Sequence, residues 1–137
     1  MDIKVQVTGM KELEKELDRV AREMKDALCL GTEEAARAVG EIVRLRAPGS
    51  IKRAVRTKPL PRKDKYPEVT LVGIDYHQAP HAHLVEFGTG PRYHASGKYV
   101  GQMPAQPFFR ESIDMARGAV AGQIKRRARG PLDKRKR

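Results

Sequence analysis

The chain is short of the residues that usually make a small domain self-sufficient. Aromatic residues fill 5% of its 137 positions and hydrophobic residues 39%. That is lean for a globule burying its own core, and a lean core often has its stability completed by oligomerisation. There is one cysteine, Cys29, so an internal disulfide is excluded. Its place on an apolar helical face reads as a small core residue in a reducing compartment. No apolar run approaches membrane-spanning length, so no membrane helix is expected. The opening MDIKVQV has neither a basic leader nor an apolar stretch, so no secretion signal is expected. At this length the chain reads as one domain.

Charge is plentiful and unevenly placed. The net charge is +11. Residues 1–43 hold 7 basic and 10 acidic groups, and residues 66–124 hold 4 and 5. Residues 44–65 hold 9 basic groups against 1 acidic, and residues 125–137 hold 8 against 1. Two segments thus carry more than the whole excess. Concentrated positive charge suggests a polyanion nearby, with DNA the obvious one. The plain alternative is a solvated face followed by a disordered tail.

Ile3, Val5 and Val7 alternate with Lys4 and Gln6, the period of a half-buried strand. Thr8 and Gly9 end it, and Thr8 can cap a helix. A helical stripe then runs through Leu13, Leu17, Val20, Met24, Ala27 and Leu28 and resumes in phase at Ala35, Val39, Ile42 and Val43. The preserved phase favours one helix of about 35 residues, with Gly31 as the place for a kink, over a break and hairpin there. At ~1.5 Å per residue it would reach about 50 Å, more than so small a domain can cover, so a neighbour must bury part of the stripe. Ala47-Pro48-Gly49 stops it. Ile51, Ala54 and Val55 can anchor a short strand or turn. The stretch from Arg56 to Lys65 reads as an exposed, extended basic arm suited to a phosphate backbone, with Arg53, Arg56, Lys58, Arg62, Lys63 and Lys65 as its contacts. Residues 68–75, EVTLVGID, form the clearest strand, antiparallel to a neighbour and with residues 3–7 nearby in the sheet.

The three phenylalanines, Phe87, Phe108 and Phe109, all fall in residues 80–113. Leu84, Val85 and Phe87 form a short apolar run, read as a buried segment, that stops at Gly88-Thr89-Gly90, a tight turn. Residues 90–102 are a polar excursion, suggestive of mobility, with Arg92 and Lys98 as further basic candidates; Tyr99 and Val100 either pair with residues near Val85 or stay in the loop. Pro107 suits the first position of a closing helix, with Gln106 or its predecessor as cap. That helix runs to about Arg127 with Phe108, Phe109, Ile113, Met115 or Ala116, Val120 and Ile124 on one side, and ends near Gly130-Pro131. Residues 125–137 then form a basic tail expected to be disordered. Glu86, a charge inside an apolar run, needs a partner or a watery edge; Arg110 is the leading partner, in the same subunit or the next.

The fragments Val85-Glu86-Phe87-Gly88-Thr89 and Met103-Pro104-Ala105-Gln106-Pro107-Phe108-Phe109-Arg110 resemble the paired signature of the neck or tail-completion family of tailed bacteriophages. Residues 47–55 resemble a shortened form of that family's middle block, and the likeness spans roughly residues 8 to 120. The resemblance implies a non-enzymatic virion protein without cofactors. It would form a homo-oligomeric ring, a hexamer by analogy, between head and tail and around the DNA channel, contacting other connector and tail proteins. Residues 85–89 and 107–110 would then belong to subunit contacts or core, and residues 90–102 would be an insertion. The overall expectation is an α+β domain over residues 1–124: long N-terminal and C-terminal helices packed on a small, mostly antiparallel sheet.

Catalytic readings find little support. His77, His81 and His83 lie near Asp75, and His-x-His on a strand can hold zinc, but no second ligand pair follows. No phosphate-cradling loop, nucleophile elbow or magnesium-binding carboxylate cluster is recognisable. The alternative to a virion role is a small basic protein binding nucleic acid without sequence preference.

Overall fold

The computed structural model describes residues 9–60 and 69–134. The expected strand at residues 3–7, the Thr8 cap, the basic candidates Arg62, Lys63 and Lys65, and residues 135–137 lie outside the described residues. The fold is α+β: two long helices and a small antiparallel sheet. Helix α1, Met10–Arg46, is one unbroken run of 37 residues. Its period is in phase from end to end, and it stops where Ala47 turns extended ahead of Pro48. Gly31 is not the site of a break. It is buried beneath the last long helix, α4 (Phe109–Asp133), where an added Cβ would sit 3.1 Å from Arg127 Cβ. The missing side chain serves close helix packing.

After α1 a single helical turn, α2 (Ile51–Ala54), leads directly into strand β1 (Val55–Pro59). Strand β2 (Thr70–Ile74) pairs antiparallel with β1, Val55 opposite Ile74 and Pro59 opposite Thr70. Residues 56–59 are therefore a strand, where the sequence suggested an extended basic loop. Arg56 and Lys58 alternate outward, while Val55 is fully buried. Next comes a short helix, α3 (Ala82–Phe87), in place of the buried segment or edge strand expected from the apolar run. Phe87, at 64% exposure, lies on the outside. The excursion after it closes on itself as a hairpin of β3 (Arg92–Tyr93) and β4 (Tyr99–Gly101). Tyr99 pairs with Tyr93, not with residues near Val85, and the two rings meet edge to face.

Helix α4 lies antiparallel along α1. Arg46 pairs with Glu111 near its start, and Arg127 Nε donates to Glu34 Oε2 at 3.0 Å near its end. It runs through Gly130 and Pro131 to Asp133, so residues 125–133 are helix, correcting the expected disordered tail. The core gathers where the helices and sheet meet: Val39, Val43, Ala47, Ile51, Ala54, Val55, Ala79, Ala82, Phe108 and Ala116. Ala116, not Met115, faces inward. The core is dominated by alanine and valine. Phe108 is its one aromatic, so aromatic burial contributes little.

Candidate functional site

The two halves of the 85–110 signature meet in space as one joint. Helix α3 aims the Glu86 side chain at the first turn of α4. Its Oε2 accepts the backbone N–H groups of Phe108 and Phe109, both at 2.9 Å, and its Oε1 accepts that of Arg110 at 3.0 Å. These are N–H groups that a helix start leaves without intrahelical partners. No side chain of the cap residue Phe108 serves them. A carboxylate from a separate element thus caps α4, where the helix dipole also favours negative charge. Burial alone would raise the Glu86 pKa; the three N–H bonds from Phe109, Arg110 and Phe108, with the Arg110 charge, outweigh it and hold it below the usual glutamate range.

Backbone ties complete the joint. Gln106 N–H donates to Val85 O at 2.8 Å, Thr89 N–H to Met103 O at 2.9 Å, and Met103 N–H to Thr89 Oγ1 at 3.0 Å. Between them Gly88 turns with φ 74°, and a Cβ there would meet Ala105 N at 2.7 Å. Only glycine fits both the turn and the approach.

The contact differs from the expected Glu86–Arg110 side-chain pair. Glu86 meets the backbone of Arg110, while the Arg110 guanidinium carbon lies 5.5 Å from the centre of the Phe87 ring. Pro107 precedes the helix; α4 begins at Phe109 with Phe108 as its cap residue. Val85, Glu86, Gly88, Thr89 and Phe108 hold the joint together. Phe87, Pro107 and Arg110 face solvent, and Phe109 is half-buried.

The described basic candidates lie on separate elements. Arg53 is exposed on α2, and Arg56 and Lys58 project from the outer face of β1. Arg56 Nε is 3.8 Å from Oδ2 of the half-buried Asp75, a long and weak pair. Arg92 and Lys98 belong to the separate β3–β4 hairpin. The basic segment that the sequence places in a disordered tail is carried on a helix instead: Lys125, Arg126, Arg129 and Lys134 are exposed on or just beyond the end of α4. The signal was the helical register of residues 109–124, which simply continues.

The histidines are dispersed. His77 N–H donates to Asp75 Oδ1 at 3.0 Å, His81 precedes α3, and His83 lines a groove beside it. Among the described residues no group of three or more His, Cys, Asp or Glu side chains is placed to hold a metal ion. No helix among them is long and apolar enough to cross a membrane.

One surface is conspicuous for apolar exposure. The end of α4 lies level with Glu23 of α1, so the first turns of α1 extend past it as an arm. Every residue from 10 to 19 is exposed, including Met10 at 53%, Leu13 at 53% and Leu17 at 59%. These three share one helical face. Comparisons with family models, curated proteins and solved structures find no match to this chain.

Proposed function

We propose that this is a structural protein that assembles with copies of itself, a ring-forming subunit of a tailed-phage neck or tail-completion assembly. The observation carrying this reading is the α1 arm, whose stripe of Met10, Leu13 and Leu17 is uncovered among the described residues. Contiguous exposed leucines on a helix mark an interface more often than a solvated face. Where the arm docks against the body of a neighbour the two surfaces differ, and such a contact is head-to-tail and closes into a ring when the rotation permits. The likeness of residues 85–110 to the neck signature supports the identity of the assembly. In it Phe87, Pro107 and Arg110 are the outward members available to a neighbour. The basic side chains Arg53, Arg56, Lys58, Arg92 and Lys98 would meet DNA in the channel through charge alone. The protein would then reside in the virion and act without catalysis or cofactor.

A second reading has its own observation: the exposed cluster Lys125, Arg126, Arg129 and Lys134 on one helix end suits non-specific nucleic-acid binding by a monomer. Sedimentation velocity over a concentration series separates the two. The first reading expects a ring-sized or concentration-dependent species, abolished by Leu13→Asp with Leu17→Asp while the fold survives. A monomer at every concentration, with DNA retention abolished when the four α4 cations are neutralised, would instead establish the second.

A further inference from the structure

Between β2 and α4 runs an apolar groove. Near one end Ile74, the last residue of β2, faces Phe109 and Ile113 around a cavity of about 510 Å³ that lies past the strand and that α3 closes with Ala82, Glu86 and Phe87. Near the other, Val72 faces Ile113 and Ile124 around a cavity of about 400 Å³. Ile113 lines both, so the two are halves of one trough. The strand bordering it has an open edge. Leu60 N–H donates to Val69 O and Asp75 N–H to Ala54 O, which with the register turns the backbone groups of Leu71 and Gly73 toward β1. Those of Thr70, Val72 and Ile74 therefore point the other way, along the trough. Among the described residues no other strand lies beside β2. An unpaired edge above an apolar trough is what an added strand requires: the ladder supplies affinity and the trough takes alternate side chains. The far edge suits one less well, because β1 contains Pro59 and Arg44 Nη2 already donates to Val55 O.

The sequence has one segment of the right pattern, Ile3-Lys4-Val5-Gln6-Val7, and its own chain cannot use it there. The α1 residue of the trough nearest the N-terminus is Thr32, and α1 begins at Met10. That length of helix is about 33 Å. Even fully extended, the chain from Met10 back to Ile3 reaches only about 25 Å.

We propose that residues 3–7 of one copy add as a strand to the open edge of β2 in a second copy, with Ile3, Val5 and Val7 in the trough and Lys4 and Gln6 outward. The proposal rests on the self-assembly reading and deepens it: the α1 arm holds the donated strand away from its own body. Each copy has one strand to give and one edge to receive, which is the head-to-tail logic of a ring.

The test uses the full chain with Cys29→Ser as background. Chains bearing Lys4→Cys or Gln6→Cys are mixed with chains bearing Leu71→Cys, whose side chain lies on the outer face of the sheet, and mildly oxidised. A disulfide between the two kinds of chain is expected, and none with Leu45→Cys, an exposed α1 position away from the trough. In parallel, Val5→Glu should weaken assembly at least tenfold by sedimentation, while Gln6→Glu, the same charge one residue on, leaves it unchanged. Helicity and thermal midpoint at low concentration should stay constant in both. If the wild type assembles and Leu13→Asp disrupts it, yet Val5→Glu assembles normally or no mixed disulfide forms, strand exchange is wrong and self-assembly stands. A wild type that stays monomeric throughout overturns both.

Discussion

Glu86 offers the sharpest test of the joint, because its role depends on charge and not on bulk. Glu86 is 8% exposed, and its carboxylate satisfies three N–H groups that have no other acceptor at the start of α4. Loss of a helix cap costs about 0.5–2 kcal/mol, and stranding a buried donor about 1–3 kcal/mol more. Glu86→Ala should therefore destabilise by about 3 kcal/mol. With an unfolding entropy of ~2.1 cal/mol/K per residue, that lowers the midpoint by about 10 °C. Glu86→Gln keeps one acceptor oxygen and loses the charge, so about 1–1.5 kcal/mol, or about 4–5 °C, is expected. The pH dependence separates charge from packing. The folded pKa of Glu86 lies below its ordinary value, so its stabilising contribution is complete above the unfolded value of about 4.3 and disappears as pH falls through the lower folded value. Glu34 has a lowered pKa too, first through its hydrogen bond from Arg127, so the wild-type curve alone is ambiguous. The difference between wild type and Glu86→Gln isolates the cap. Thermal melts followed by circular dichroism should show that difference shrinking as pH drops from about 5 to about 3. A constant difference, or a glutamine variant as stable as wild type, would refute electrostatic capping.

Gly88→Ala should cost about 2–4 kcal/mol, since it combines a left-handed φ of 74° with a Cβ 2.8 Å from Met103 O; a thermal melt unchanged within error would show that the joint can relax. Gly118→Ala, in mid-α4 with nothing within 4 Å of the new Cβ, should stabilise by about 0.5–1 kcal/mol through helix propensity, read in the same melt as a rise of about 2–3 °C. Neutralising Lys125, Arg126 and Arg129 to glutamine should weaken DNA retention and flatten its dependence on salt by up to about 0.9 log unit for each phosphate no longer neutralised. Retention that keeps its full salt slope would place the DNA-binding surface elsewhere.

The sequence was most legible where many residues repeat one message. Helix α1 could be read because its apolar phase persists over 37 residues, although Gly31 in its middle suggested a bend when it marks a helix crossing. A single glycine carries no sign of which it is. Strand β2 was legible from its β-branched content, whereas β1 was not: Arg56, Lys58 and Pro59 read as a basic loop until β2 supplies the ladder. Helix α3 is hard to read because a run as short as Leu84, Val85 and Phe87 fits a strand or a helix equally well. For Glu86 the sequence identified a charge in need of a partner and the neighbourhood in which to find it. What it does not display is a backbone N–H, which every residue but proline carries alike, so the nearest opposite side chain stands out instead. In the sequence the end of α4 resembles a tail because its charge and Pro131 imitate a disordered terminus. The ion pair from Arg127 to Glu34 and the close packing on Gly31 anchor its last turns against α1.

The economy of the core links these readings. Its largest fully buried side chains are Ile51, Val43, Val55 and Ser112, so little of the chain's limited hydrophobic content is gathered in one place. Meanwhile Leu13, Leu17 and Leu30, each more than half exposed, bring larger side chains than the seven alanines inside. Selection for an independent monomer would favour the reverse allocation, since burying one leucine is worth about 1.5–3 kcal/mol. Leucines outside and alanines inside suit a protein whose folded body is specified by a cap, a glycine turn and close helix packing, and they leave apolar surface that the proposed association would bury. On that argument stability and assembly are coupled: as the protein is concentrated, the thermal midpoint should rise with the population of the oligomer, and the Leu13→Asp, Leu17→Asp variant should melt at the dilute wild-type midpoint at every concentration.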